Sequence, residues 1–345
     1  MADSAFETAG DAALHAATLT LDTHVDIPWP DTPDPAGETN RRVDFGKMRR
    51  GGLGAVVFIA YLPQGPLTAE GHAAAAARAE AMLRHIAGTA DGRDRAFCAD
   101  APATEAAKAA GQLAVLSAVE NGYAMGEDLS RLALWKSLGA IYVTLTHNGH
   151  NLLSDSAIPR PDLGDGPTRH GGLSALGRAA IAEMNRLGLL IDVSHASRDA
   201  MLQAAQVSRT PIVATHACCS ALREHPRNLD DAQLDALKAV GGLVQITAVP
   251  AFLRDPPKGG GTTQASVADY IDHVDYAVRR IGLDHVGLSS DFDGGGGIPG
   301  WANAGETMNL TAELHRRGYG AREIDLLWSG NFRRLMRRVQ GMAEI

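Results

Sequence analysis

Histidine and carboxylate side chains recur in this sequence where apolar runs end. The first case is His24 and Asp26, which stand two positions apart after an alternating apolar run. Side chains two apart on a strand share a face, and an imidazole beside a carboxylate is a natural pair of ligands for a divalent metal. One such pair is a weak signal, because histidine and aspartate are common at strand ends and in turns. Later apolar runs are followed by Glu120, His147, His195, His216 and Asp291.

Glu120 directly follows the apolar run 113–119. A carboxylate there is costly to bury unless it is paired or bound to a metal. The plain alternative is a solvated turn residue. With an oxygen for each of two cations, Glu120 can bridge them, and this predicts a two-metal site. The predicted ligand sets are His24, Asp26 and Glu120 for one ion, and Glu120, His195 and His216 for the other.

Two close cations acidify a shared water into hydroxide at neutral pH and polarise a carbonyl group. Asp291 is then placed to hold that water and to shuttle its proton. Nitrogen and oxygen ligands without a thiolate fit Zn²⁺, with Mn²⁺ or Co²⁺ as substitutes. Cys218 and Cys219 lie near His216 and offer a thiol alternative, but we expect them to pack in the core. The predicted cofactor is therefore two Zn²⁺ ions per chain.

Arg227 lies in a short segment that contains a proline, 225–228, after the sixth predicted strand. A guanidinium near the mouth of the site would bind a carboxylate through two parallel hydrogen bonds. The alternative is an ordinary surface arginine. The position in a restrained loop favours the binding role slightly.

The elements that must position these side chains are predicted strands alternating with helices. Their number and order favour a (β/α)8 TIM barrel, which places all the strand ends at one mouth. A doubly wound open sheet is the alternative, but it would not usually carry polar residues at so many strand ends. We predict a single barrel domain over 1–345, with an N-terminal arm at 1–16 and extra C-terminal helices. The predicted strands are 17–23, 55–60, 113–119, 140–145, 189–193, 211–215, 242–246 and 285–289.

Composition sets limits on the class of protein. The 345 residues are 45% hydrophobic and 21% charged, with a net charge of −8, so no basic surface for nucleic acid or an anionic membrane is expected. Three cysteines are too few for a disulfide framework. No apolar run approaches the length of a membrane span, and the N-terminus lacks the pattern of a signal peptide. We therefore expect a cytoplasmic location with reduced thiols.

Together these motifs resemble the membrane (renal) dipeptidase family, metallopeptidases with an amidohydrolase-like barrel. The matching segments follow the family's order over most of the chain. His-Pro-Arg-Asn at 225–228 and Asp-Phe-Asp-Gly at 291–294 are specific, whereas His-x-Asp is not. The matching segments are 22–26, 119–121, 144–148, 192–195, 214–216, 225–228, 287–294 and 330–332.

The resemblance implies a binuclear zinc site bridged by Glu120, which hydrolyses dipeptides with a free C-terminal carboxylate. It implies that Asp291 shuttles protons at the substrate and that His147 contacts the substrate or its transition state. It places Arg227 on the substrate's carboxylate. Family members often tolerate a D-residue at the second position, and the family suggests a homodimer. Animal members are secreted, disulfide-bonded and lipid-anchored, which this sequence does not indicate. The loop at 148–151 also departs from several members, so substrate preference is the least determined feature.

Two other functions compete with a dipeptidase. One is a hydrolase with the same site acting on a non-peptide amide, a lactam or an ester, and the importance of Arg227 separates it from a dipeptidase. The other is a non-catalytic metal-binding barrel that serves as a scaffold or sensor. Such a protein needs no proton shuttle, so its function would not depend on Asp291.

Overall fold

The computed structural model describes residues 9–27, 34–259 and 261–344. The strands in this part of the chain are β1 Leu21–Asp26, β2 Ala55–Tyr61, β3 Arg95–Phe97, β4 Leu113–Glu120, β5 Ala140–Thr144, β6 Leu190–Asp192, β7 Ile212–Ala217, β8 Leu243–Ile246 and β9 Val286–Leu288. All pairings are parallel, and the sheet runs β1-β2-β4-β5-β6-β7-β8-β9 in chain order, while β3 pairs only with β4. With helices between the strands, this confirms the (β/α)8 barrel.

Backbone hydrogen bonds bring the end of the barrel back to its first strand. The Asp26 N–H donates to the Phe292 carbonyl at 3.0 Å, and the Asp291 N–H donates to the His24 carbonyl at 3.1 Å. A side-chain contact adds to them, since the Ser290 N–H donates to Oδ1 of Asp22 at 3.0 Å. The segment after β9 therefore lies against β1, and Asp291 lies beside His24.

The helices fill the connections and extend beyond the last strand. They are α1 Ala9–Ala17, α2 Phe45–Gly51, α3 Ala69–Gly88, α4 Ala101–Ala109, α5 Ser130–Ser137, α6 Ala175–Leu187, α7 Arg198–Val207, α8 Asp231–Ala239, α9 Pro250–Leu253, α10 Val267–Ile281, α11 Met308–Arg316, α12 Ala321–Asp325 and α13 Asn331–Gly341. Ser174 caps α6 by accepting from the Gly177 N–H, and Gly188 ends it in a left-handed conformation. No helix of the described ranges is long and apolar enough to span a bilayer.

The structure corrects several predicted bounds. The first strand was predicted from residue 17, but α1 continues to Ala17, and the Thr18 N–H still donates to the Leu14 carbonyl at 3.1 Å. Strand β1 therefore starts at Leu21 and itself contains His24 and Asp26. The short elements α2, β3 and α4 were not predicted. Residues 1–8 of the predicted arm lie outside the described residues, as do residues 28–33.

The barrel core follows from the alternation of strand side chains. On β4, Ala114, Leu116 and Ala118 belong to one buried cluster, together with side chains from strands all around the barrel, so they face its interior. The same cluster includes Phe332 and Met336 of α13, which places this helix at the end of the barrel away from the site. Glu120 follows Ala118 at the same spacing of two residues, so its side chain also faces the inside of the barrel and points into its mouth.

A buried asparagine at the start of α13 holds that helix to the barrel. Nδ2 of Asn331 donates to the carbonyls of Leu283 and Val286 at 2.7 and 2.8 Å. Asn331→Ala should lower the free energy of unfolding by about 2–4 kcal/mol, since both carbonyls lose their donor. Urea denaturation followed by circular dichroism measures the loss. The control is Asn309→Ala, whose side chain donates to the exposed Gly300 carbonyl at 2.7 Å. Water can replace that donor, so the loss should be smaller, about 1 kcal/mol or less; equal losses would contradict the assignment.

Candidate active site

The structure groups the predicted ligands around the two oxygens of Glu120. Oε2 lies 3.5 Å from Nε2 of His24, and that nitrogen lies 3.6 Å from Oδ1 of Asp26. Oε1 lies 3.2 Å from Nε2 of His195 and 3.5 Å from Nε2 of His216. The carboxylate therefore divides the four other side chains into two groups, each meeting one of its oxygens.

The spacing of these atoms suits metal ligands. Nitrogen and oxygen atoms bound about 2.1 Å from a tetrahedral metal ion are about 3.4 Å apart, which is close to the separations around Glu120. Nε2 of His24 and Oδ1 of Asp26 are buried and lack a hydrogen-bond partner anywhere in the described ranges. Buried polar atoms require a partner, so this donor set fits a divalent cation.

The charges of the site point the same way. Burial raises the pKa of Glu120 and of Asp291, and the nearby carboxylate of Asp26 acts in the same direction on both. Ligand atoms of His24, Asp26 and Asp291 lie within 4.8 Å of one another. Two carboxylates within this distance of each other, with Glu120 on the other side of His24, favour a cation at the site.

Two residues at the site have a backbone conformation that favours glycine. The φ angles of His195 and Asp291 are 64° and 60°, in the left-handed region that non-glycine residues seldom occupy. Such strain persists where surrounding structure fixes it, and it is concentrated at functional sites. Here it turns each side chain at its strand end toward the mouth.

A cleft of about 270 Å³ opens above these groups, and Arg227 and His147 line it with Asp291. Arg227 is buried, donates to the His216 carbonyl at 3.2 Å and lies 5.4 Å from the Phe252 ring centre. Burial lowers its pKa to about 10, so it stays cationic at neutral pH. Its Nε has no hydrogen-bond partner among the residues described. The cleft thus contains a buried cation with unused donor capacity.

The imidazole of His147 is uncharged. Burial lowers its pKa to about 3, and the nearby positive charge of Arg227 adds to the effect. The ring lies 4.1 Å from the ring of His195 and 4.8 Å from that of Tyr61. A neutral imidazole held between two rings can still donate one hydrogen bond into the cleft.

The two adjacent cysteines lie apart from this chemistry. Cys218 and Cys219 are both buried in the apolar core, as expected. Burial raises the pKa of the Cys218 thiol to about 12, and its sulfur donates to the Thr247 carbonyl. A protonated, buried thiol is a poor ligand.

Several side chains that the sequence analysis did not single out hold the histidines. Nδ1 of His195 lies 3.0 Å from Oδ1 of Asn148, and Nδ1 of His24 lies 2.9 Å from Oη of Tyr142. Thr215 lies beside Nδ1 of both His24 and His216. A threonine or tyrosine within a strand matches ordinary strand composition, so the sequence gives no signal of this role.

Asp192, at the end of β6, is close enough to His24 and His216 to suggest a further ligand. Both its oxygens are already occupied, however. Oδ2 accepts from the hydroxyls of Thr144 and Thr215, and Oδ1 accepts from the backbone N–H groups of Ser194 and Thr215. Asp192 therefore orients its neighbours and has no free lone pair directed at a metal.

One protein family matches nearly the whole chain. Its model, described as membrane dipeptidase (peptidase family M19), matches residues 9–345. The chain belongs to this family. The match confirms the family predicted from the motifs.

Curated relatives carry the name dipeptidase. The chain is 35% identical over 234 residues to dipeptidase tcpJ of Claviceps purpurea, a match covering 68% of the chain and 52% of that protein. It is also 35% identical to dipeptidase aclJ of Aspergillus oryzae, over 68% of the chain and 53% of that protein. The match to this chain thus spans about half the length of each of these curated relatives.

Solved structures share the whole barrel. The probable dipeptidase PvdM of Pseudomonas aeruginosa superposes with a TM-score of 0.92 at 28% identity, covering 97% of this chain and 98% of that one. A metallopeptidase of Rhodobacter sphaeroides, liganded with a phosphinate mimic of the dipeptide L-Ala-D-Ala, gives 0.82 at 27% identity, covering 93% and 99%. An amidohydrolase of P. aeruginosa gives 0.78 at 26% identity, covering 96% and 99%. The amidohydrolase-like fold is thereby confirmed.

Gly294 leaves the space that two site carboxylates occupy. A Cβ on this residue would lie 2.4 Å from Oδ1 of Asp291 and 2.8 Å from Oδ2 of Asp26. Gly294→Ala should therefore displace both carboxylates and weaken metal binding by about 10-fold or more. Competition with a chromophoric chelator measures the affinity. Gly341→Ala, where a Cβ meets nothing within 4 Å, is the control; wild-type affinity in Gly294→Ala would contradict the packing argument.

Proposed function

We propose that this protein is a zinc-dependent dipeptidase with two metal ions, acting on dipeptides that have a free C-terminal carboxylate. One observation carries the proposal: a buried arginine and a carboxylate that divides two groups of ligands line the same small cleft. The guanidinium of Arg227 suits the terminal carboxylate of a peptide. The groups around Glu120 suit hydrolysis of a bond nearby.

The metal assignment follows the two oxygens of Glu120. His24, Asp26 and Glu120 would hold one ion, and Glu120, His195 and His216 would hold the other. The mixture of imidazole and carboxylate ligands suits zinc, with manganese or cobalt as substitutes. When bound, such ions lower the pKa of water and polarise the scissile carbonyl group.

The other cleft residues carry the remaining steps. Asp291, whose pKa is raised by burial, takes a proton from the attacking water and returns it to the leaving amine. The neutral ring of His147 donates a hydrogen bond to the carbonyl oxygen as negative charge develops there. Arg227 fixes the far end of the substrate, so the bond to be cleaved is held in one position.

The proposal includes dipeptides with a D-residue at the second position. Support comes from the similarity to the R. sphaeroides metallopeptidase, whose ligand mimics L-Ala-D-Ala. In this chain the wall of the cleft near Arg227 includes Phe252 and Val249, an apolar surface for a small side chain. A cytoplasmic location stays a prediction from composition, and a homodimer stays an implication of the family resemblance.

The carboxylate requirement can be tested with Arg227→Met. Zinc-loaded wild type should hydrolyse L-Ala-L-Ala and L-Ala-D-Ala, and it should act about 100-fold less well on the C-terminally amidated dipeptide, which cannot pair with the guanidinium. Arg227→Met should lower kcat/KM for the free dipeptides by a similar factor and leave the amide unchanged. Steady-state kinetics with ninhydrin detection measures both.

The matched control for that series is Arg223→Met. Arg223 lies in the same loop but pairs with Asp255 at 2.9 Å, outside the residues that line the cleft, so its removal should leave kcat/KM intact. Equal turnover of free and amidated dipeptides by wild type would remove the case for a terminal carboxylate. Non-peptide amides, lactams and esters would then be the substrates to assay.

Asp291→Asn tests the proton-transfer step. The substitution keeps the shape of the side chain and removes its basicity, so kcat should fall by about 100- to 10,000-fold. Bound zinc, measured by atomic emission, should stay at the wild-type amount, because Asp291 is not assigned as a ligand. The exposed Asp284→Asn is the control. Full activity in Asp291→Asn would refute the proposed proton shuttle.

A further inference from the structure

A single buried hydroxyl lies between the two groups of ligands. Oγ1 of Thr215 is 3.0 Å from Nδ1 of His216 and 3.3 Å from Nδ1 of His24. It is also 2.8 Å from Oδ2 of Asp192. His24 and His216 belong to different groups around Glu120, and the centres of their rings lie 3.8 Å apart with the ring planes tilted by 41°. Thr215 therefore touches one proposed ligand of each ion, and the inference below rests on the proposed two-metal function.

The direction of each hydrogen bond follows from counting protons. Asp192 is surrounded by two hydroxyls and two backbone N–H groups, so it serves only as an acceptor. The one proton of the Thr215 hydroxyl consequently goes to Asp192. Its remaining lone pairs can only accept. The donors within reach are the Nδ1–H groups of His24 and His216 and, at the longer distance of 3.4 Å, the Ser194 hydroxyl.

Tyr142 gives the same answer for His24 independently. Its hydroxyl donates to the Thr23 carbonyl at 2.9 Å. Its oxygen, 2.9 Å from Nδ1 of His24, can then only accept. Both neighbours of that nitrogen are acceptors, so His24 carries a proton on Nδ1, which leaves Nε2, the nitrogen facing Glu120, as the atom that would bind a cation.

We infer that Thr215, oriented by Asp192, is a positioning residue that fixes the tautomer and ring orientation of one ligand in each metal group. A hydrogen-bond partner on the ring nitrogen that does not bind the metal raises the basicity of the histidine and fixes the orientation of its ring. Most such partners serve one ligand of one ion. Here one hydroxyl serves both groups, so its removal weakens the two ions together, whereas Tyr142 affects only the group of His24.

The test compares three substitutions for zinc affinity. Thr215→Val keeps the shape and removes the hydroxyl, and Thr215→Ser restores the hydroxyl. Tyr142→Phe removes a hydroxyl that contacts the ring of His24 and not that of His216. Stepwise zinc titration against a chelator, with atomic emission for stoichiometry, measures each binding step. We expect Thr215→Val to weaken both steps by about 10- to 100-fold, Thr215→Ser to stay within about 3-fold of wild type, and Tyr142→Phe to weaken one step.

Three outcomes would overturn the inference. They are wild-type affinity in Thr215→Val, loss of only one ion in that variant, and equal losses in Thr215→Val and Thr215→Ser, which would indicate packing and not the hydroxyl. A second measurement needs no variant: in zinc-loaded protein with ¹⁵N-histidine, the retained protons of His24 and His216 should be on Nδ1. A proton on Nε2 of either ring would refute the assignment even if Thr215→Val fails to fold.

The same experiment separates this inference from the proposed function. Two tight zinc ions in a wild-type protein that hydrolyses no dipeptide would refute the dipeptidase, while the pattern among the variants would still decide the role of Thr215. Binding of a single ion by wild type would overturn both the two-metal assignment and the coupling through Thr215.

Discussion

The site depends on burying one carboxylate, Glu120, at the mouth of the barrel. Glu120 is the last residue of β4 and faces the barrel interior, and only 2% of it is exposed. Removing an ionised carboxylate from water costs several kcal/mol unless opposite charge lies close by. Arg227 is a buried cation nearby, but the carboxylates of Asp26 and Asp192 add further negative charge around Glu120. In the proposed enzyme, divalent cations near the two oxygens of Glu120 would supply the remaining positive charge.

The barrel supplies the remaining ligands because its strand ends are forced together. In a closed parallel sheet, the carboxyl ends of all strands meet at one rim, although the residues concerned are far apart in the sequence. The joint between first and last strands matters most, because Asp291 and His24 are linked there through their backbones. A change that loosened this joint would move the proposed proton shuttle away from the ligands it serves. The same backbone hydrogen bonds that close the barrel therefore also place Asp291 beside His24.

These facts explain what the sequence predicts and what it does not. Strand ends that carry histidine and acidic residues are visible because alternation and apolar runs mark the strands, and the barrel then brings them together. The bounds of β1 are not visible, since residues 17–21 alternate whether or not a helix ends among them. Nor is the role of Thr215, which depends on hydrogen bonds to His24 across 191 positions. Patterns along one strand identify the face of a side chain but not its partner.

Arg227 shows how selectivity follows from the same electrostatics. Its guanidinium is buried and faces the negative charges of Glu120 and Asp291, which raise its pKa against the larger effect of burial. In the proposed enzyme, cations at Glu120 offset those charges, so the arginine loses much of its counter-charge. A substrate carboxylate restores it, and an uncharged chain end does not. Metal binding and the preference for a substrate carboxylate are therefore coupled. The negative charge near Glu120 that favours bound cations is also the charge that stabilises the Arg227 guanidinium when no cation is bound.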